Sequence, residues 1–124
     1  MTKIVYPSAL PYPFAKAVRA GDFVFVSGAL PLGPDGLIMR GPIEVQTRVV
    51  LENIKRTLEE TGCSLADVVE NTIWLEDTRD FAGFNKVYAE FFAKDPPARA
   101  TVRADLMLDA RIEIRSLAYK PLGR

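Results

Sequence analysis

The chain has 124 residues, 48% of them hydrophobic, and its 16 lysines and arginines balance 16 aspartates and glutamates. The length predicts one folded domain over residues 1–124. The zero net charge provides no general electrostatic attraction toward nucleic acid. No apolar run is long enough to span a bilayer. From the balanced charge we therefore expect no nucleic-acid partner, and from the short apolar runs we expect no membrane partner. Without histidine the commonest metal ligand is absent, and we expect no metal or other cofactor. The single cysteine, Cys63, excludes an internal disulfide and is typical of a cytoplasmic protein.

The beginning of the chain reads as short strands joined by turns rich in proline and glycine. Residues 3–5 form a candidate edge strand, Phe14 to Arg19 is extended, and Phe23 to Ser27 is a strand. This last strand is apolar at consecutive positions, so both of its faces are expected to be buried. Residues 28–41 are interpreted as a loop with one short strand at Leu37–Met39.

Two stretches with the apolar spacing of helices follow, with a strand between them. Pro42 to Thr61 is predicted to be the first helix, which Gly62 ends. Val68 to Glu76 is predicted to be a strand that is largely apolar on both sides. Arg79 to Lys94 is predicted to be the second helix, and its aromatic residues recur at helical spacing. Such a stripe is typical of a core, and we assign it there.

After the second helix, polar and apolar residues alternate as they do in strands. Pro96-Pro97 ends the helix, and Ala98 to Asp105 places Arg99 on the face opposite the alanines. Ala110 to Tyr119 is interpreted as the partner strand of an antiparallel hairpin, with Glu113 on its charged face. In that register Glu113 is a diagonal neighbour of Arg99, roughly 7–8 Å away. Charge pairs across strands are usually a solvated surface, so the spacing alone does not establish a site.

Together these elements predict an α+β sandwich in which two helices lie on a single β-sheet. Two helices can cover one face, yet at least two strands are apolar on both faces. The second face is therefore expected to meet another copy of the chain in a closed homo-oligomer. Arg99 and Glu113 are then expected on the buried face between copies, where charges need partners and spare donors are available to a ligand.

Several short sequence blocks, spread in order over nearly the whole chain, match the motifs of one known family. They are Gly21 to Gly28, Gln46-Thr47 with Leu51 to Ile54, Gly62 to Val69, Phe81 to Tyr88 with Phe91-Phe92, Pro97-Ala98-Arg99 and Ile112-Glu113-Ile114. By these blocks the chain resembles the reactive intermediate deaminases, known as the RidA, YjgF or endoribonuclease L-PSP type. No single block is diagnostic, but their order and spacing together are specific.

The resemblance implies a chorismate-mutase-like α+β fold, with two helices on one face of a mixed sheet, and a homotrimer with clefts between subunits. It implies a hydrolase of the 2-iminobutanoate/2-iminopropanoate deaminase type, free of cofactor and metal. Such enzymes convert amino-acid enamines and imines, such as 2-aminoacrylate, to a 2-oxo acid and ammonia. By motif, Arg99 and Glu113 are the expected catalytic residues. The residues expected to bind the small carboxylate substrate at the interface are Phe14, Ser27, Gly28, Asn85 and Thr101.

The chemistry of these residue types fits that activity. A planar guanidinium at Arg99 can hold a substrate carboxylate with two parallel charge-assisted hydrogen bonds. Glu113 can orient or deprotonate a water, and a positioned base is typically worth about 10²–10⁴-fold in rate. Thr101 stands where some members carry cysteine, and it is either a contact of that water or an ordinary strand threonine.

The chain departs from the family at Phe14-Ala15-Lys16, where many members have Tyr-Ser-Gln. Phe14 keeps an aromatic wall but loses a hydroxyl, and Lys16 brings a cation that either attracts a second carboxylate or points at solvent. Two other functions therefore stay open: a trimer that binds a carboxylate metabolite without turnover, and a divergent deaminase of a catabolic enamine. RNA cleavage, which has been attributed to relatives, is disfavoured by the zero net charge and the absence of histidine.

Overall fold

The computed structural model describes residues 2–123, in which two helices pack on a six-stranded mixed sheet. The strands are β1 (Ile4–Pro7), β2 (Ala15–Ala20), β3 (Phe23–Ala29), β4 (Val68–Leu75), β5 (Ala98–Arg103) and β6 (Ile112–Tyr119). The helices are α1 (Ile43–Glu60) and α2 (Phe81–Phe91), and short 3₁₀ turns at Leu65–Asp67 and Thr78–Asp80 precede β4 and α2. The predicted α+β class is confirmed. Within this range no helix combines the length and the hydropathy needed to cross a membrane.

Helix α1 begins and ends where the sequence predicts. Pro42 precedes it in an extended conformation, and Gly62 follows it with φ of +82°, which glycine adopts without steric strain. The inner face of the helix is aliphatic and shielded from solvent: Val50, Leu51, Ile54 and Leu58. Each such side chain contributes about 1.5–3 kcal/mol on burial, so this face anchors the helix to the sheet.

Helix α2 is shorter than the predicted helix over residues 79–94. The residues before it, Thr78–Asp80, form a 3₁₀ turn, and the Asp77 carboxylate caps this turn by accepting a hydrogen bond from the Arg79 backbone N–H at 2.8 Å. The helix ends at Phe91. Its inner face buries Phe84, Val87 and Tyr88, which confirms the core assignment for most of the aromatic stripe, but Phe81 is 46% exposed.

The strands are arranged in the order β1-β2-β3-β6-β4-β5, and only β4 and β5 are parallel. Helix α2 carries the chain back across the sheet, so β5 starts at the same end as β4, as a parallel pair requires. The predicted β5–β6 hairpin is therefore wrong. Strand β4 lies between these two strands and pairs with both of them.

The loop between β3 and α1 contains less strand than predicted. In place of a strand at Leu37–Met39 there is a single bridge between Leu32 and Ile38. Asn53 of α1 holds this loop, since its Nδ2 donates hydrogen bonds to the carbonyls of Leu30 and Leu32 at 3.3 and 3.0 Å. These two hydrogen bonds fix the loop against α1 at Asn53.

The two faces of the sheet differ sharply in their surroundings. Alternate side chains such as Val24, Ile73 and Ile114 are buried under the helices. The intervening side chains form an uncovered face, on which four large apolar residues are 41% to 49% exposed: Phe23, Phe25, Val102 and Tyr119. Strand β3 thus buries only one of its faces within the chain.

Gly83 lies at a close approach of the two helices. A Cβ atom at this position would lie 2.7 Å from Ile43 Cγ2 and 2.9 Å from Glu44 Oε2. In an unobstructed helix, Gly→Ala stabilises by about 1 kcal/mol. Here we expect overlap with the buried Ile43 to reverse that sign, so Gly83→Ala should lower the midpoint of urea unfolding.

The Ile43→Ala background isolates the cause, because it removes the obstructing methyl group. In a double-mutant cycle at one protein concentration, Gly83→Ala should be neutral or stabilising in that background. Equal destabilisation in both backgrounds would show that the helix contact is not responsible.

Candidate active site

Arg99 lies on the edge strand β5, with its side chain on the helix-covered face. It pairs with the buried Asn71 of β4, and paired residues of adjacent strands point to the same side. Its guanidinium carbon is 5.8, 5.1 and 4.9 Å from the ring centroids of Phe81, Phe84 and Tyr88. Cation–π contacts are worth about 0.5–1 kcal/mol each at exposed sites. Among residues 2–123 no carboxylate lies within ion-pair distance, so the guanidinium is held by rings and keeps its N–H groups for an anion.

A buried chain of hydrogen bonds fixes the ring of Tyr88. Ser116 Oγ donates to Asn71 Oδ1 at 2.6 Å, and Asn71 Nδ2 donates to the Tyr88 hydroxyl oxygen at 3.0 Å. Burial raises the pKa of Tyr88, against smaller opposing effects of the Asn71 hydrogen bond and the Arg99 charge. The sequence analysis missed this support. Its signal is an amide, Asn71, at an inward position of a mostly apolar strand, where a polar group needs a partner.

Asn85 and Thr101 lie on the two elements that carry Arg99 and its aromatic rings, namely α2 and β5. Asn85 follows Phe81 by one helical turn, which places it on the side of α2 that carries the rings. Thr101 is two residues after Arg99 on β5, hence on the same face, and its buried hydroxyl has no hydrogen-bond partner in the described chain. Phe81 and Thr101 also share a cavity of about 210 Å³. We call Arg99, Asn85 and Thr101 the arginine half-site.

Glu113 lies on β6 between two buried isoleucines, so its side chain is on the uncovered face of the sheet. Its carboxylate lies over Gly28, where a Cβ atom would be only 2.1 Å from Oε2. This close approach requires glycine, and it coincides with an irregularity in the pairing of β3 with β6 between Val26 and Ala29. Half-burial raises the pKa of Glu113, because desolvation disfavours the charged form.

Three other expected binding residues, Phe14, Ser27 and Gly28, line one cavity of about 510 Å³. Phe14 is 43% exposed, and the Ser27 hydroxyl donates to the Ala15 carbonyl at 2.5 Å, which leaves only its lone pairs for a ligand. Gly28 joins this cavity to Glu113. We call Phe14, Ser27, Gly28 and Glu113 the glutamate half-site.

The two half-sites do not meet within one chain, which corrects the expected proximity of Arg99 and Glu113. It also corrects the expectation that both lie on the buried face between copies, because Arg99 is exposed on the helix-covered side. Arg99 is on the helix-covered face, whereas Glu113 pairs with Trp74 on the uncovered face. Strand β4 also separates the strands that carry them. Over the described range, no group of Cys, Asp and Glu is placed to hold a metal ion. A single copy thus places the Arg99 guanidinium and the Glu113 carboxylate on opposite sides of the sheet.

Comparison with known proteins identifies the family. The model of the family "Endoribonuclease L-PSP" matches residues 7–120. A RutC family protein of Pyrococcus horikoshii is 44% identical over 97% of this chain and 99% of its own length. The 3-aminoacrylate deaminase RutC of Acinetobacter baylyi is 43% identical over 94% of this chain and 97% of its own.

The structural comparison agrees. The crystal structure of a putative endoribonuclease of Thermotoga maritima is 38% identical, covers 98% of this chain and 100% of its own, and superimposes with a TM-score of 0.90. The chain belongs to the endoribonuclease L-PSP family. The resemblance to the RidA and YjgF proteins that its motifs indicated is confirmed.

Asn71 is the central member of the hydrogen-bond chain under Arg99, so its loss should be costly. Asn71→Ala leaves the buried hydroxyls of Tyr88 and Ser116 without a shared partner, and an unsatisfied buried group costs about 1–3 kcal/mol. We expect a fall of at least that size in the free energy of unfolding, measured with urea.

Thr72→Ala is the matched control for Asn71→Ala. It alters the next residue of β4, which is half-buried on the other face. Its effect should be well under that of Asn71→Ala. Equal unfolding midpoints for the two variants would show that the Ser116–Asn71–Tyr88 chain does not support the fold.

Proposed function

We propose that this protein is a hydrolytic deaminase of small carboxylated enamines and imines. The observation that carries the proposal is the guanidinium of Arg99, which is exposed in the single chain, lies over three aromatic rings of α2 and has no described carboxylate beside it. Such a group is preorganised for a bidentate contact with a carboxylate, and little rearrangement is needed when the ligand arrives. The relative named 3-aminoacrylate deaminase, at 43% identity, supports the same substrate chemistry.

The active site is completed between copies of the chain. The arginine and glutamate half-sites lie on opposite faces, so one ligand can touch both only if they come from different copies. The uncovered face is apolar at Phe23, Phe25 and Tyr119, and an exposed patch of this kind is typical of a surface that another subunit covers. A homotrimer, the assembly that the family resemblance implies, brings the half-sites together three times around one axis.

In the proposed reaction the substrate carboxylate binds to Arg99 of one copy. An enamine first takes a proton on carbon to become the iminium ion. Glu113 of the neighbouring copy then takes a proton from a water while the oxygen bonds to the imine carbon, which gives a neutral carbinolamine. Glu113 passes this proton to the nitrogen, the C–N bond breaks as ammonia leaves, and the hydroxyl proton returns to Glu113 as the carbonyl of the oxo acid forms. No oxidant or cofactor takes part, and 2-aminoacrylate plus water gives pyruvate plus ammonia.

Two substrates fit this scheme and differ in where the nitrogen stands. In 2-aminoacrylate the C–N carbon bears the carboxylate directly, whereas in 3-aminoacrylate it is one carbon further away. The first follows from the family resemblance, and the second is favoured by the identity to the Acinetobacter baylyi relative. Binding of a carboxylate metabolite without turnover is the alternative function. It is supported if 2-oxobutanoate occupies the site while neither aminoacrylate is hydrolysed faster than in buffer.

Arg99→Ala should lower kcat/KM for freshly generated 2-aminoacrylate by roughly 10²-fold or more, because it removes two hydrogen bonds to a charged group. Release of pyruvate measures the rate. Arg48→Ala is the matched control, since this arginine also lies over an aromatic ring, that of Phe91 at 6.0 Å, but pairs with Glu90 outside the site; the rate of this variant should equal that of wild type. The proposal fails if wild type and Arg99→Ala both match buffer with both aminoacrylates.

Mixing two inactive variants tests whether the site is shared. Arg99→Ala chains retain Glu113, and Glu113→Ala chains retain Arg99, so the site between unlike neighbours is intact in one of their two orders around the ring and lacks both residues in the other. For equal mixing in any cyclic ring, about a quarter of the wild-type activity should return. Each variant assayed alone is the control. No recovery from verified mixed oligomers would contradict a shared site.

The pH dependence should reveal Glu113 as the base. Its raised pKa means that it gains a proton as the pH falls, at a higher pH than an ordinary glutamate with the value 4.5. We expect kcat/KM to fall below that raised pKa and to level off above it. In Glu113→Gln this acid limb should vanish together with most of the rate. A limb that persists unchanged in the residual activity of Glu113→Gln would assign the titration to another group.

A further inference from the structure

The cavity of the glutamate half-site extends beyond the expected binding residues to a charged wall. Lys16, next to Phe14 and Ala15, lines the cavity and pairs with Glu60 of α1, with Nζ 2.7 Å from Oε2. Arg56 lines the same cavity one turn earlier on α1. Because positions 56 and 60 are one helical turn apart, both side chains face the same space.

The wall carries a net positive charge. Lys16 is balanced by Glu60, but Arg56 donates only to the amide oxygen of Asn53 and has no carboxylate within ion-pair distance in the described chain. Asn53 is itself held by the loop carbonyls of Leu30 and Leu32, so it gives Arg56 a fixed neighbour. Among the residues that line the cavity, two cations thus face one carboxylate, and Glu113 lies apart from this wall, beside Gly28.

The cavity is also larger than a three-carbon acid needs. Its volume of about 510 Å³ is within the range of about 300–1,000 Å³ that is usual for ligand pockets, and one water in the liquid occupies about 30 Å³. A substrate as small as 2-aminoacrylate leaves most of this space, including the charged wall, unused. The volume and the charge both fit a longer substrate that ends in an anion.

We propose that this charged wall is a subsite for a second carboxylate, and that the substrates include imines of acidic amino acids. The inference rests on the proposed function, with the first carboxylate at Arg99 and the second at Arg56 and Lys16. The Lys16–Glu60 pair is about a third to a half exposed, and exposed pairs contribute only about 0–1 kcal/mol. A second carboxylate can therefore draw Lys16 away from Glu60 at little cost.

The test compares two 2-oxo acids of equal length, 2-oxopentanedioate and 2-oxopentanoate, which differ in the terminal carboxylate. Calorimetry gives both dissociation constants, and the corresponding imines, generated by an amino-acid oxidase with catalase, give kcat/KM. Wild type should prefer the dicarboxylate at least tenfold by both measures. Arg56→Gln should remove most of that preference while leaving 2-oxopentanoate unchanged.

Glu60→Gln should have the opposite effect and raise the preference, because it frees Lys16 and removes the competing anion. Arg48→Gln is the control, since this arginine of α1 pairs with Glu90 outside the cavity; it should change neither acid. The subsite proposal is overturned if wild type binds the two acids with equal affinity. It is also overturned if neither Arg56→Gln nor Glu60→Gln changes the preference for the dicarboxylate. If 2-iminopentanoate is hydrolysed without that preference, only the subsite fails. If no imine is hydrolysed yet the preference in binding holds, the deaminase proposal fails and the subsite stands.

Discussion

The place of β4 between β5 and β6 is the constraint on which the rest of the molecule depends. It makes β5 an edge strand whose arginine faces the helices, and it leaves the glutamate of β6 on the other side of the sheet. Arg99 can then use α2 as an aromatic support, and Glu113 can lie against Gly28. The proposed sharing of active sites between copies follows from this separation, since neither face alone holds both Arg99 and Glu113.

Local patterns predicted most of the elements but not how the strands pair. Helix α1 and the six strands follow from spacing, capping and turn residues that are close together in the chain, so the sequence displays them directly. Pairing is non-local. The short link between β5 and β6 favoured a hairpin, whereas the strand–helix–strand order of β4, α2 and β5 already indicated a parallel pair. The strand–helix–strand order is the stronger of the two signals, because a parallel pair needs such a crossover.

The same distinction holds for the site. Motifs predicted Arg99 and Glu113 as site residues, because a family resemblance is read position by position along the chain. Such a comparison does not show which face of the sheet each residue occupies. The support of Arg99 by Asn71 and Tyr88, and the contact of Lys16 with Glu60 across 44 residues, arise only when the sheet and helices are assembled. In the sequence, Asn71 is only an amide among apolar strand residues and Lys16 only a lysine next to an aromatic residue. Their partners become visible only in the folded structure.

Strand β6, the last of the six described strands in chain order, lies in the middle of the sheet. Strand β6 joins β3 to β4, and the Arg19 side chain near the start of the chain donates to the Lys120 carbonyl, 101 residues later. While the ribosome is still producing the chain, the β1–β3 meander and the β4–α2–β5 unit have no strand to connect them. Until β6 has been synthesised, the facing edges of β3 and β4 are open, and open strand edges favour association with other chains.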